Sequence, residues 1–247
     1  MIDPTAPDGH QLRMGFFDHL EELRQRLYRV VLALIIGVVV GAFLTDPLLQ
    51  YLIEPYADRL LATSPTEPIV AFFRVALLVG GVISTPVIIY QILMFVLPGL
   101  TKKERRIFLY ALPAVMGLFL TGVAFAWFIV VPAAIPFLEG FMSDTFNAMW
   151  TADRYLGFIT SLLFWMGVSF ELPLVLFLLS ILGIVSPRML LKQWRVAVVL
   201  SAVAAAFITP TVDPFNMLIV MAPLVGLYII SIVLSVFGIR INRRARS

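Results

Sequence analysis

Residues 165–179 read WMGVSFELPLVLFLL. Fourteen of these fifteen positions are apolar, small or proline, and the exception is Glu171, with Pro173 two residues on. A carboxylate at the centre of a bilayer costs roughly 2.5–3.5 kcal/mol on insertion scales. Whether this stretch meets a bilayer is decided by the rest of the chain. Its 247 residues are 61% hydrophobic and 13% charged, with a mean hydropathy of +0.99. Soluble domains run at roughly 45–50% apolar and about 25% charged. The composition is that of an all-α integral membrane protein with several spans.

Six segments approach the roughly 20 apolar residues needed to cross a core about 30 Å thick. They are residues 27–45, 69–96, 107–135, 155–182, 194–208 and 215–237, and together they predict a single six-span membrane domain over 1–247. The fifth, WRVAVVLSAVAAAFI, reaches only about 22 Å at 1.5 Å per residue. It must lie against protein or thin the bilayer beside it. Its small residues, Ala197, Ser201 and Ala205 on one row and Ala202 and Ala206 on another, suit close helix approach. Residues 46–68 hold four prolines and predict a short interfacial helix followed by a turn. The N-terminus has no apolar core flanked by a small-residue cleavage site, so no removable signal peptide is expected.

Orientation follows from Lys and Arg. Fifteen of the eighteen basic residues fall before span one, between spans two and three, between spans four and five, and after span six. Only Arg59, Arg74 and Arg154 fall on the other side. Both termini are therefore expected in the cytoplasm.

Five regions carry candidate chemistry. In FFDHLEELRQRL, residues 16–27, Phe16, Leu20, Leu23 and Leu27 share one helical face, and Glu22 projects almost opposite, beside Arg26. On spacing alone Glu22 and Arg26 read first as an i,i+4 pair on a solvated face, with a ligand site as the alternative. Glu104 is the sole acid in TKKERR, residues 101–106. It either balances charge or receives a cationic ligand. Carboxylates recognise guanidinium groups in a bidentate, geometrically selective way, so Glu22 and Glu104 on one membrane face suit two guanidinium groups. In span two, Pro86 and Gln91 suit helix packing. In span four, Pro173 frees the carbonyl of Ser169 next to Glu171, making one polar spot of the kind that persists against protein or a water-filled cavity. Asp213, in ITPTVDPFNM, either caps the sixth helix with Pro214 in its first turn or contacts a partner.

Enzyme chemistry is poorly supplied. There is no cysteine, no H-E-x-x-H and no G-x-S-x-G. Both histidines, His10 and His19, are N-terminal, and Glu171 has no ionisable companion in its own span. No cofactor, metal or nucleic-acid role is expected.

HLEELRQRL, STPVIIYQILMFVLPGLTKKERR, FAWFIVVPAAIPFL, GVSFELPLVLFLLSILGIVSP and FITPTVDPFNM follow one another in the chain. In this order they resemble the TatC family, the six-span receptor subunits of the twin-arginine protein translocase, over essentially the whole chain. The resemblance implies a cupped bundle with two short final helices. It also implies binding of twin-arginine signal peptides of folded precursors, work with single-span TatA/TatB-type subunits in an oligomeric complex, and energy from the proton-motive force. It assigns signal-peptide binding to Glu22 and Glu104, with Arg24, Phe95, Arg105 and Arg106 on neighbouring motif positions. Glu171 and Gln91 become an intramembrane polar patch, and Asp213 and Pro55 external loop contacts. The expected location is a bacterial or archaeal cytoplasmic membrane. One departure is plain: many members carry a Tyr-Glu pair in span six, where this chain has Tyr228–Ile229. Two competing readings are a proton-coupled transporter of a small solute using Glu171, against which no internal repeat is found, and an intramembrane enzyme.

Overall fold

The computed structural model describes residues 16–54, 60–96, 102–141, 150–209 and 213–246, with backbone alone described at 16–18, 96, 102–111 and 241–246. The described residues form helices and no named strand. The order is α1 (Phe16–Ile53), α2 (Glu67–Val96), α3 (Lys102–Phe125), a π-helical turn (Ala126–Val130), α4 (Val131–Gly140), α5 (Ala152–Phe170), α6 (Leu172–Ile181), α7 (Pro187–Lys192), α8 (Trp194–Ile208) and α9 (Pro214–Arg246). Five stretches are long and apolar enough to cross a membrane: within α1, within α2, Leu112–Gly140, Ala152–Ile181 and within α9. The shorter α8 has 15 residues.

α1 and α2 lie against each other along most of their length, and three glycines set their distance. A Cβ on Gly80 would come within 2.6 Å of the Val38 backbone nitrogen, and one on Gly41 within 2.8 Å of the Ala76 carbonyl. Gly37 and Gly41 form the small-xxx-small spacing that lets helix backbones touch. Between them Ser84 donates from its hydroxyl to the Ala33 carbonyl at 2.8 Å. Much of the rest of α1 faces outward, with Ile35, Ile36, Val39 and Phe43 exposed. Such a face is stable only against lipid or a partner.

The main core forms where α2, the π-helical turn, α4, α5, α8 and α9 meet, around Val75, Ile135, Ile159, Leu162, Met166 and Val220. At the end where α5 begins, the loops are stitched to the helices. Leu61 N–H donates to the Trp150 carbonyl at 3.0 Å, and Ala152 N–H to the Leu61 carbonyl at 2.9 Å. The fully buried Tyr155 donates its hydroxyl to the Leu52 carbonyl at 3.0 Å. Arg74 reaches across from α2 to pair with Asp153 at 2.9 Å.

Two expectations need correction here. The short interfacial helix over the start of 46–68 is no separate element, because α1 runs on through Pro47 to Ile53; residues 60–66 are not helical up to the turn that opens α2. Of the two final helices expected to be short, α9 has 33 residues. No proline or glycine interrupts the IRINRRAR tail, so nothing stops the helix where its apolar run ends.

Candidate functional site

The first site lies where α1 begins and α2 ends. Glu22 and Arg26 are one helical turn apart, and Arg26 donates both Nε, at 2.9 Å, and Nη2 to the same oxygen, Glu22 Oε1. Its remaining nitrogen, Nη1, donates to Gln91 Oε1 on α2 at 3.2 Å. Gln91 is buried, and it stands seven residues from Ser84, so both lie on the side of α2 that faces α1. One turn beyond Gln91, the ring of Phe95 stacks on His19, with centroids 4.4 Å apart and planes 11° from parallel. His19 Nδ1 stands 3.9 Å from Glu22 Oε2. That second carboxylate oxygen is buried and has no hydrogen-bond partner among the described residues.

One carboxylate oxygen is thus held by an arginine, itself held by a buried amide. The other is recessed beside an aromatic pair. A planar cation with N–H donors suits this arrangement: the oxygen accepts and the rings offer a flat apolar face.

The faces of α1 are the reverse of those a soluble amphipathic helix would show. Leu20, Leu23 and Leu27 are 44%, 41% and 57% exposed, whereas the Glu22 and Arg26 side chains are 21% and 19% exposed. Next to a membrane, lipid accepts the leucines as readily as a core would, so the polar groups turn toward protein, where they find partners. Arg24 is not brought to this cluster; it pairs with Glu21 on the exposed side of α1. Glu104, Arg105 and Arg106 lie in the first turn of α3, and their side chains lie outside the described residues. Pro55 also lies outside them.

The second site is intramembrane. α5 ends and α6 begins at Glu171, whose N–H bonds back to Val168 at 3.1 Å. Pro173, with no N–H to give and a ring that crowds the preceding turn, accounts for the break. Glu171 is 4% exposed, and neither carboxylate oxygen has a hydrogen-bond partner among the described residues. It lines a cavity of about 630 Å³ together with Thr85, Ser169, Ser201 and Tyr228, in walls otherwise dominated by aliphatic residues from α2, α6 and α8. Thr85, Ser169 and Tyr228 spend their protons on the carbonyls of Gly81, Trp165 and Leu190. The carboxylate is therefore an unsatisfied buried group of the cavity, and an unpaired buried polar group is costly.

Gln91, expected to share this patch, does not line it; on α2 the cavity takes Thr85, Ile88, Ile89, Ile92 and Leu93. Gln91 points about a third of a turn away from that set, toward α1 and Arg26. Asp213 caps α9: Oδ1 accepts from the Asn216 N–H at 2.7 Å and Oδ2 from its side-chain amide at 2.9 Å. His19, in the sequence only one of two N-terminal histidines, joins the site because its place three residues before Glu22 puts both on one helix face. The i,i+4 spacing of Gly37 and Gly41 is likewise a signal legible in the sequence.

These features define a class of protein: a multi-pass helical membrane protein with one recessed polar site at a membrane edge and another inside the bilayer. Among the described residues there is no cluster fit to hold a metal ion. The family model described as "Sec-independent protein translocase protein (TatC)" matches residues 18–223, and the chain belongs to the TatC family. It is 36% identical over 233 residues to the Sec-independent protein translocase protein TatC of Synechocystis sp., covering 91% of each chain. It is 37% identical over 230 residues to the chloroplastic TATC of Pisum sativum, covering 90% of this chain and 64% of that one. Two crystal structures of the twin arginine translocase receptor TatC superimpose with TM-scores of 0.77 and 0.78 at 33% and 35% identity, covering 89% and 88% of this chain and 99% of each of theirs. The protein is a multi-pass membrane subunit of the twin-arginine translocase, a receptor rather than an enzyme, and it acts with other Tat subunits.

Proposed function

We propose that the edge built by Glu22, Arg26, Gln91, His19 and Phe95 receives the paired arginines of twin-arginine signal peptides. The observation that carries this reading is the recessed Oε2 of Glu22, without a hydrogen-bond partner among the described residues and set beside the stacked His19 and Phe95. Glu104, at the start of α3, supplies a second carboxylate, with Arg105 and Arg106 next to it in the sequence, and Arg24 meets the peptide from the exposed side of α1. Glu171 and its cavity form the polar patch that meets the apolar part of an inserted signal peptide or a helix of a single-span TatA/TatB-type subunit. Asp213, at the opposite end of the bundle, contacts partner subunits, and Pro55 serves the same contact.

The chain forms one six-span domain in a bacterial or archaeal cytoplasmic membrane, within an oligomeric complex. Fifteen of its eighteen basic residues fall in the four segments that a six-span chain leaves on one side, which supports an arrangement with both termini in the cytoplasm. The proton-motive force drives transport.

Photo-crosslinking tests the receptor site. A probe at Phe95 should capture a twin-arginine signal peptide and fail to capture the same peptide with both arginines changed to glutamine. Equal capture of both peptides would overturn specific recognition at this edge.

A further inference from the structure

A second polar feature lies at the same edge, apart from the Glu22 cluster. Between α7 and the last turns of α9 lies a cavity of about 520 Å³, lined by Ser186, Pro187, Arg188, Val236, Ile239 and Arg240. Its walls are held in place. Tyr228 donates its hydroxyl to the Leu190 carbonyl at 2.7 Å, tying α7 to α9. Gly238 brings α9 so near α6 that a Cβ there would sit 2.9 Å from Ser180 Cβ.

The charge of this cavity is one-sided. Arg188 and Arg240 have no acid partner among the described residues. None is within reach along the chain either. From residue 172 to the C-terminus the sequence holds seven basic residues and one acid, Asp213, and Asp213 caps the far end of α9. Ser186 accepts from the Met189 N–H at 3.2 Å, which leaves its own hydroxyl proton to donate into the cavity. Trp194 is 54% exposed one short turn away, with Arg195 5.7 Å from its ring centre. An exposed tryptophan beside arginine marks the headgroup level of a bilayer. Two guanidinium groups, a hydroxyl donor and an aliphatic wall of Val236 and Ile239 at that level make a phosphate site with an apolar continuation. Basic pockets between helices at a membrane face take anionic headgroups for this reason.

We propose that the pocket between α7 and α9 binds an anionic phospholipid, its phosphate between Arg188 and Arg240 and its acyl chain along Val236 and Ile239. The lipid supplies the counter-charge that this half of the chain lacks, and it braces the α6–α9 pair that also walls the Glu171 cavity.

Native mass spectrometry of the full chain in detergent, titrated with phosphatidylglycerol or with phosphatidylcholine of the same acyl chains, tests this. Phosphatidylglycerol should give one saturable high-affinity adduct and phosphatidylcholine none. Arg188→Gln and Arg240→Gln should each weaken that adduct about fivefold and together about thirtyfold, the scale of one basic residue near an anionic surface. Lys192→Gln with Arg195→Gln removes equal charge outside the pocket and should leave the adduct within about twofold, since residues outside the site touch no headgroup. All four side chains are exposed, so the variants should fold, which circular dichroism checks. Equal weakening by the two double variants would mean a diffuse basic surface and overturn the pocket. Thermal stabilisation by inorganic phosphate as large as that by phosphatidylglycerol would mean a free-anion site and overturn the lipid. Neither outcome bears on peptide capture at Phe95, which is read separately.

Discussion

Replacing Glu22 by glutamine keeps the volume and one carbonyl acceptor and removes the charge. In the protein the carboxylate gives Oε1 to Arg26 and leaves Oε2 recessed. An incoming guanidinium would use that second oxygen, so the substitution removes one charge-assisted contact. Hydrogen bonds to charged groups contribute about 1.5–3 kcal/mol. The side chain is 21% exposed, so solvent screening places the loss toward the lower half of that range, about 2 kcal/mol. At about 1.4 kcal/mol per tenfold, Kd for a labelled twin-arginine peptide should rise about thirtyfold. Fluorescence anisotropy on protein in lipid nanodiscs reads this directly. Repeating the titration with a peptide in which the arginines are replaced by glutamine completes a double-mutant cycle; the Glu22 effect should then vanish. A Kd within twofold of the parent for Glu22→Gln, or an unchanged Glu22 effect with the arginine-free peptide, would refute the pairing.

Further outcomes follow from the same geometry. Gln91→Leu removes the amide that holds Arg26 at 3.2 Å; peptide affinity should fall about three- to tenfold, the scale of one lost neutral acceptor, and an unchanged Kd would show that Arg26 needs no such anchor. Glu171→Gln keeps the size and hydrogen-bonding capacity of the cavity group and should retain substantial transport in a vesicle import assay, whereas Glu171→Leu should dock peptide normally and fail at a later step; full transport by Glu171→Leu would leave the carboxylate without a role. Gly80→Val drives a side chain into the Val38 backbone, 2.6 Å from a Cβ at that site, and overpacking of this kind costs about 1–3 kcal/mol or more. The thermal midpoint should drop, whereas Gly117→Ala, which meets nothing within 4 Å, should hold or raise it by the helical advantage of alanine, about 0.5–1 kcal/mol; equal midpoints would refute the contact. Cysteines at Ser64 and Thr101 should label from outside intact cells and only after permeabilisation, respectively, and the opposite pattern would invert the topology.

What the sequence determines here is local and covalent. Pro173 ends one helix and starts another whatever surrounds it, because a missing N–H and a bulky ring act within one turn, and Glu171 stands at that break. Asp213 caps α9 for a similarly local reason. α8 occupies the 15 residues of its apolar run, between the Gln193 break and Thr209. Gly183 closes α6 at φ 77°, a left-handed conformation that glycine adopts without strain.

Which face of each helix meets which neighbour is decided only in the tertiary structure. In water, burial sorts apolar from polar, so a periodic stripe announces the core. In a bilayer the solvent is itself apolar, and the stripe announces nothing. The Leu20–Leu23–Leu27 face is therefore outward and the Glu22–Arg26 face inward, opposite to the soluble expectation. Gln91 likewise joins Arg26 rather than Glu171 because the glycine contacts of α1 with α2 fix how α2 is turned, and that rotation depends on residues 37, 41 and 80 acting together across two helices.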